Sequence, residues 1–394
     1  MRVGLLTYST KPRGSVVHAA CLAEALTRLG VETTLYALSK ARDPFFRELA
    51  AELVLLPAEP AAAGTDALIR QRIAEMARGL ERAATPGAIY HAEDCLAANG
   101  LLRAAAALRP AATARTVHHV EHFDSPYLAD CQRRSVLGVD RLFVVSRLTE
   151  RDVRAEFNRS SRVISNGVWP ERFAERDPAR ERSLRERLGV PRGGLLITSV
   201  GGVEARKNTL AALEAVAAVH AAAPGAGICW AIAGGASIFD HAAYDGAFRR
   251  RLSELGPELG ARIQRLGTLE EAELTLLYQA SDVLFCPSVQ EGFGLSVLEA
   301  LAASTAAVVS DREPFRDWLP RDAACFVDPE SVASLSAGLL SLVLEPRERD
   351  RLAKGGPAVA RRFAWERVAE AHLSEYEALL SHGARVKPAT ANSP

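Results

Sequence analysis

Net charge is the first thing this chain lacks: 48 lysines and arginines face 48 aspartates and glutamates over 394 residues, so the formal charge is zero. Nothing therefore favours a generic polyanion, and no nucleic-acid partner is expected. Cysteine pairing is also lacking. The six cysteines, at 21, 95, 131, 229, 286 and 325, form no C-x-x-C and mostly lie within apolar runs. That argues against a disulfide framework or a zinc knuckle and for reduced thiols in a cytoplasmic protein. No apolar stretch approaches the length of a membrane span, which leaves room for peripheral membrane contact only. The opening M-R-V-G-L-L-T-Y-S-T suits a first strand better than the longer core of a signal peptide. Lysine is scarce, occurring only at 11, 40, 207, 354 and 387, so a lysine retained in a loop hints that a compact point charge is wanted there. G-x-x-x-x-G-K-[ST] is absent, and no G-x-G-x-x-G follows the first strand. Kinase, NTPase and dehydrogenase readings lose their main supports.

What is present describes an ordinary globular protein, 48% hydrophobic and 24% charged, with the length of about two domains. Strand-like runs at Val3 to Tyr8, Val31 to Leu38, Leu53 to Leu56, Ala88 to His91, Ala114 to His118, Leu142 to Val145 and Val163 to Val168 alternate with helical patterns. This is the grammar of a parallel α/β sheet. A proline-rich, charged stretch from Trp169 to Gly194 reads as a boundary with one short helix, after which the alternation restarts at Leu195. The expected division is a first domain over 1–172, a second over 173–364, an amphipathic helix over 365–384 and an unstructured polar tail over 385–394.

The chain is organised around Val289 to Ala303, V-Q-E-G-F-G-L-S-V-L-E-A-L-A-A. Two glycines, Gly292 and Gly294, open the backbone between a buried-looking strand, D-V-L-F-C-P-S, and an apolar helical run. In open parallel sheets this junction lies at the carboxyl end of the strands, where ligands bind. Glu291 stands in the loop, and Glu299 in the second helical turn can reach back toward it because side chains lean to the helix N-terminus. Both carboxylates can address one molecule. A second loop, G-G-V-E-A-R-K-N from Gly201, sets Arg206 and Lys207 before a helix, where two cations and free N–H groups suit a diphosphate. Three histidines and a glutamate crowd T-V-H-H-V-E-H, Thr116 to His122, but not at the spacing of a known metal site.

E-G-F-G-L-S-V-L-E-A resembles the E-x7-E signature of family 4 retaining glycosyltransferases. The resemblance implies the α/β GT-B fold, two Rossmann-like parallel-sheet domains facing a central cleft, with the last helix returning over the first domain. It implies a nucleoside diphosphate sugar as donor, bound by the second domain, and an acceptor held mainly by the first. By position, Glu291 meets the donor sugar, the backbone of Gly292, Phe293, Gly294 and Leu295 meets sugar and phosphate, and Glu299 meets the ribose. Arg206 and Lys207 meet the diphosphate, although the commoner family pattern places the arginine directly after the first glycine, where this chain has Gly202. His118 matches the histidine of a T-x-H near the reacting carbon, with His119 and His122 toward the acceptor. Gly14 in K-P-R-G-S matches the glycine-rich loop of the first domain, with Arg13 in place of one glycine.

S-N-G-V-W, Ser165 to Trp169, resembles the family's N-G-V-D, with Trp169 in place of the acidic residue, and is assigned no chemistry. S-D-R-E-P-F-R-D-W resembles a segment of mannosyltransferase-like members and leans toward GDP-mannose over a UDP-hexose. No D-x-D triplet is present, so a metal-independent hexosyl transfer with retention is expected, without a cofactor. The acceptor, whether glycan, lipid-linked or small molecule, is left open. Two rivals stand beside this reading: another GT-B enzyme, such as an epimerase or phosphorylase, and a non-catalytic nucleotide-sugar-binding protein.

Overall fold

The computed structural model describes residues 1–40, 43–235 and 242–381. The expected tail over 385–394 and the end of the expected 365–384 helix lie outside the described residues. The chain divides into two compact units, one of Met1–Gly167 with the segment that begins at Trp365, the other of Val168–Ala364.

In the first unit seven strands, β1 (Arg2–Thr7), β2 (Glu32–Lys40), β3 (Glu52–Ala58), β4 (Ile89–Ala92), β5 (Ala112–Val117), β6 (Arg141–Val144) and β7 (Arg162–Val163), form one parallel sheet. Their order is β3-β2-β1-β4-β5-β6-β7, so the chain reverses direction across the sheet between β1 and β4. The central strands are buried along almost their whole length, as expected where helices cover both faces. Local chemistry sets the helix starts. Asp94 accepts from the Ala97 N–H to cap Cys95–Leu108, and Ser146 does the same for Arg147–Phe157 through Thr149. The strand expected over Val163 to Val168 is cut to two residues. Ile164 still donates to Val144 O at 2.9 Å, but the buried Asn166 side chain then turns to His18 and Gly167 meets the Trp365 indole. A Cβ at Gly167 would lie 2.5 Å from Trp365 Cδ2, so the chain can pass only as glycine. The helix Trp365–Ser381 packs on the helix Gly14–Arg28 of this same unit.

The second unit holds β8 (Leu196–Val200), β9 (Cys229–Ala233), β10 (Ile263–Gly267), β11 (Val283–Cys286), β12 (Ala306–Ser310) and β13 (Cys325–Val327) in the parallel order β10-β9-β8-β11-β12-β13. Here the reversal falls between β8 and β11. The core on one face gathers Trp230, Phe248, Phe285 and Leu335 beneath the helices Thr209–Ala222 and Val332–Leu344. β12, β13 and the two helices Val332–Leu344 and Pro346–Ala360 were not legible in the sequence. The alanine-rich A-A-V-V-S and a three-residue edge strand carry too little alternation to stand out. Both sheets are doubly wound α/β, the class expected.

Candidate functional site

In the second unit the two loops singled out by sequence leave adjacent strands, β8 and β11, at the reversal point of the sheet. Neighbouring helices diverge there, which opens a crevice at the carboxyl ends of the strands. Gly201 and Gly202, with φ of 128° and 75°, turn the chain off β8, and both donate to Ala233 O at 2.9 Å. A Cβ at Gly201 would collide with the Lys207 stem, so glycine is what lets the lysine lie across the turn. Arg206 and Lys207 sit on a single 3-10 turn, Ala205–Lys207, and not on the first turn of the following helix. The cause is Asn208, held left-handed at φ 58° while its side-chain amide donates to Pro329 O at 2.7 Å and Pro287 O at 3.2 Å.

The loop after β11 is tied to that turn by main-chain bonds: the Val289 N–H donates to Arg206 O at 2.9 Å. Across 84 residues of sequence, the Lys207 ammonium donates to Glu291 Oε1, which also accepts from Ser288 Oγ at 3.1 Å. Arg206 pairs with the buried Glu204 at 2.8 Å and lies 4.0 Å from Glu291 Oε2. Burial alone would raise the Glu291 carboxyl. The Lys207 and Arg206 charges, with the bonds from Lys207 and Ser288, outweigh it and hold Glu291 below the usual carboxylate range. Glu291 is thus an acceptor-only group fixed beside two cations.

Past Glu291 the backbone is open. Among the described residues the N–H groups of Gly292, Phe293, Gly294 and Leu295 find no acceptor, and they run into the first turn of the helix Leu295–Ala302. Such a row of unsatisfied donors at a helix start suits an anion. Gly294, at φ 94°, abuts the Phe315 ring, which leaves no space for a Cβ. Phe293 offers only its backbone, because its ring is buried and stacks on Trp318 at 5.0 Å. Glu299 accepts from Tyr278 Oη at 2.8 Å. Burial pushes its carboxyl up against the opposing pull of Arg172 and Tyr278. Glu204 and Ser288 lie within the loop and strand segments singled out by sequence but are assigned no role there, and Tyr278 and Arg172 carry no local motif.

In the first unit Gly14 opens the helix Gly14–Arg28 with free space around its Cβ position, so only a ligand could require glycine there. His118 follows β5 directly, and its Nε2 lies 3.4 Å from the wholly buried Glu93. His119 and His122 are exposed, the former 2.8 Å from Glu121. Around Glu93 the structure assembles His18 and His91, against which His372 packs from the last helix, a cluster missed in the sequence. Its only signal was polar residues within apolar runs, V-V-H-A-A-C-L and I-Y-H-A-E-D. Among the described residues no group of three or more His, Cys, Asp or Glu side chains is placed to hold a metal ion.

Replacing Glu299 by alanine is expected to weaken nucleotide binding by about 1.5–3 kcal/mol, the scale of a hydrogen bond to a charged group. Titration calorimetry reads this directly, and an unchanged Kd would remove Glu299 from any ribose contact.

Residues 180–359 match the model of the family described as Glycosyl transferases group 1, and residues 12–172 match that of Glycosyltransferase Family 4. The chain is 30% identical over 266 residues to D-inositol 3-phosphate glycosyltransferase of Corynebacterium jeikeium, covering 65% of this chain and 61% of that protein. It is also 30% identical over 235 residues to phosphatidyl-myo-inositol mannosyltransferase of Mycobacterium tuberculosis, covering 58% and 56%. The alignments therefore span about three-fifths of the length of these curated relatives. Among solved structures, sucrose-phosphate synthase of Thermosynechococcus elongatus aligns with a TM-score of 0.78 at 20% identity, over 97% of this chain and 99% of that one. HepE of Anabaena, in complex with UDP and glucose, aligns with a TM-score of 0.76 at 16% identity, over 96% and 100%.

Proposed function

Since the chain belongs to the group 1, family 4 glycosyltransferases, we propose that it transfers a hexosyl group from a nucleoside diphosphate sugar to an acceptor, with retention at the anomeric carbon. The observation that carries the reading furthest is the Lys207–Glu291 pair, which locks the β8 and β11 loops together beside a row of open N–H groups. The hard step is separation of an anionic diphosphate from an oxocarbenium-like sugar. Lys207, Arg206 and the open N–H groups stabilise charge as it grows on the leaving phosphate, and they are fixed before the reaction begins. Glu291, ionised and pinned by Lys207, accepts from sugar hydroxyls and orients the ring. Glu299 takes the ribose. His118 and Gly14 serve from the first unit, to which the acceptor is assigned. The same-face route, in which departing diphosphate helps deprotonate the acceptor, fits a site where no side chain is singled out as a covalent nucleophile.

The donor is a GDP- or UDP-hexose. GDP-mannose is favoured by the S-D-R-E-P-F-R-D-W segment and by the mannosyltransferase among the relatives. The relatives named for an inositol phosphate and for phosphatidyl-myo-inositol support an acceptor that is a polyol or its lipid-linked form. A thermal-shift screen of nucleoside diphosphate sugars tests the donor, since a ligand at 100 times its Kd adds about 2.7 kcal/mol of apparent stability. No shift with any GDP- or UDP-hexose would sink the reading.

Metal independence follows from the basic pair that can replace a cation and from the missing D-x-D. Transfer is expected to persist in excess EDTA at its original rate. Loss of turnover that Mg2+ or Mn2+ restores would count against it.

A further inference from the structure

Glu93 is fully buried, and beyond the nearby Thr116 hydroxyl neither of its carboxylate oxygens has a hydrogen-bond partner. Three imidazole Nε2 atoms surround it: His118 at 3.4 Å and His18 at 3.7 Å from Oε2, and His91 at 3.5 Å from Oε1. A bare carboxylate in such a place is costly, so where the protons sit is decided by what each ring already bonds. His91 is spoken for, with the Tyr376 hydroxyl on Nδ1 at 2.6 Å and the Thr116 hydroxyl on Nε2 at 2.8 Å. His18 donates its Nδ1–H to Asn166 Oδ1 at 2.7 Å, so its neutral ring turns an Nε2 lone pair toward Glu93. His118 differs from both. Its Nε2 is sealed inside without a partner, while 15% of its side chain stays accessible through the rest of the ring.

From this geometry we infer that Glu93 is a positioning residue that decides which ring nitrogen of His118 carries the proton. When Glu93 is protonated, its O–H donates to His118 Nε2, and the neutral ring then carries its own proton on Nδ1, a donor at the accessible edge. When Glu93 is ionised, it accepts from Nε2–H, and Nδ1 becomes an acceptor. One proton leaves Glu93 for solvent, and the ring proton moves from Nδ1 to Nε2 by exchange with water. The other charged and titratable groups around the pair keep the His118 ring neutral in both states. Burial and the nearby Arg115 and His119 disfavour a charged His118. From the last helix, His372 donates to Val368 O and Tyr376 holds its proton, so neither supplies a positive charge. Burial pushes Glu93 up to about 7 against the opposing effects of His18 and the Thr116 hydroxyl, which puts the exchange near neutral pH. If His118 contacts substrate, as the transferase reading has it, its accessible edge donates a hydrogen bond to a sugar or acceptor oxygen below that pH and loses this ability above it.

The test reads histidine ring nitrogens in the 15N-labelled full chain, with His118 identified by the signal lost in His118→Gln. The wild type is expected to show the Nδ1–H tautomer at pH 6 and the Nε2–H tautomer at pH 8.5. Glu93→Gln cannot ionise, so its His118 ring is expected to keep a single tautomer at both pH values. In transfer assays the wild-type rate should fall about tenfold per unit above pH 7, a limb that Glu93→Gln lacks. One tautomer at both pH values in the wild type, or a doubly protonated ring at pH 6, overturns the inference and leaves the transferase reading intact. The wild-type measurement needs no variant to fold. A tautomer exchange with a pH-independent transfer rate supports the role of Glu93 and removes His118 from the reaction instead.

Discussion

Replacing Lys207 with alanine is expected to lower kcat and kcat/KM together by on the order of 100- to 1000-fold, about 2.7–4 kcal/mol, the loss typical of one preorganised electrostatic donor. Both constants are expected to fall if the charge that Lys207 meets grows as the glycosidic bond breaks. Its ion pair complicates the experiment. The Lys207 and Glu291 side chains retain only 12% and 9% of their exposure, so Lys207→Ala leaves a largely buried carboxylate with Arg206 4.0 Å away. Breaking a buried pair from one side costs about 3–5 kcal/mol of stability. The double variant Lys207→Ala/Glu291→Gln removes that penalty by making the glutamate neutral. It is expected to recover stability in a denaturant melt without recovering turnover. Lys207→Arg keeps the charge but swaps a compact ammonium for a broad fork, so partial activity is expected. A folded Lys207→Ala protein with unchanged turnover would mean that the diphosphate is bound elsewhere.

The second large effect is acid lability confined to the first unit. His18 and His372 are pushed down to about 4 and His118 to about 3, in each case chiefly by burial, and His91 falls well below its ordinary value for the same reason. A histidine whose pKa is depressed on folding binds fewer protons folded than unfolded. Its contribution is therefore complete above about 6.5 and is lost as pH falls toward the folded value. At about 1.4 kcal/mol per unit, His18, His118 and His372 lose on the order of 7 kcal/mol together between pH 6.5 and 4.5, and His91 acts in the same direction. Glu93 works the other way. Its folded value of about 7 lies above the ordinary 4.5, so its contribution is complete below 4.5 and lost as pH rises through 7. Together with Asp94, which burial likewise pushes up to about 6, it returns about 4 kcal/mol over the same interval. The histidines win, and the net loss of a few kcal/mol is a sizeable fraction of the stability of a domain. Hydrogen exchange between pH 6.5 and 4.5 should show peptides around His18, His91 and His372 losing protection first, while those of β8 and β11 keep theirs. Simultaneous loss in both units, or a stability maximum near pH 4, would contradict this account.

How far the sequence reached is clearest at the donor-side loops. Glu291, Gly292, Gly294 and Glu299 lie within nine consecutive residues, and their chemistry is that of one strand, one turn and one helix start. Such information is local, so it survives without any knowledge of the fold. The α/β alternation is local too, because each strand and helix carries its own period of apolar residues. Where the period fails, as in A-A-V-V-S, the sequence was silent. The partly mistaken element was the strand at Val163, where the pattern is strand-like but Asn166 and Gly167 are taken up by His18 and Trp365 from distant segments.

The sequence by itself therefore determined the class of fold and singled out the two loops that leave β8 and β11. Tertiary structure alone decided that Lys207 meets Glu291, that the Phe293 ring is spent on Trp318, and that Glu93 lies between His18, His91 and His118. Each of these is a contact between segments remote along the chain. A proton on Glu93 or a charge on Glu291 takes its energy from such neighbours and from burial, neither of which is written in the spacing of residues.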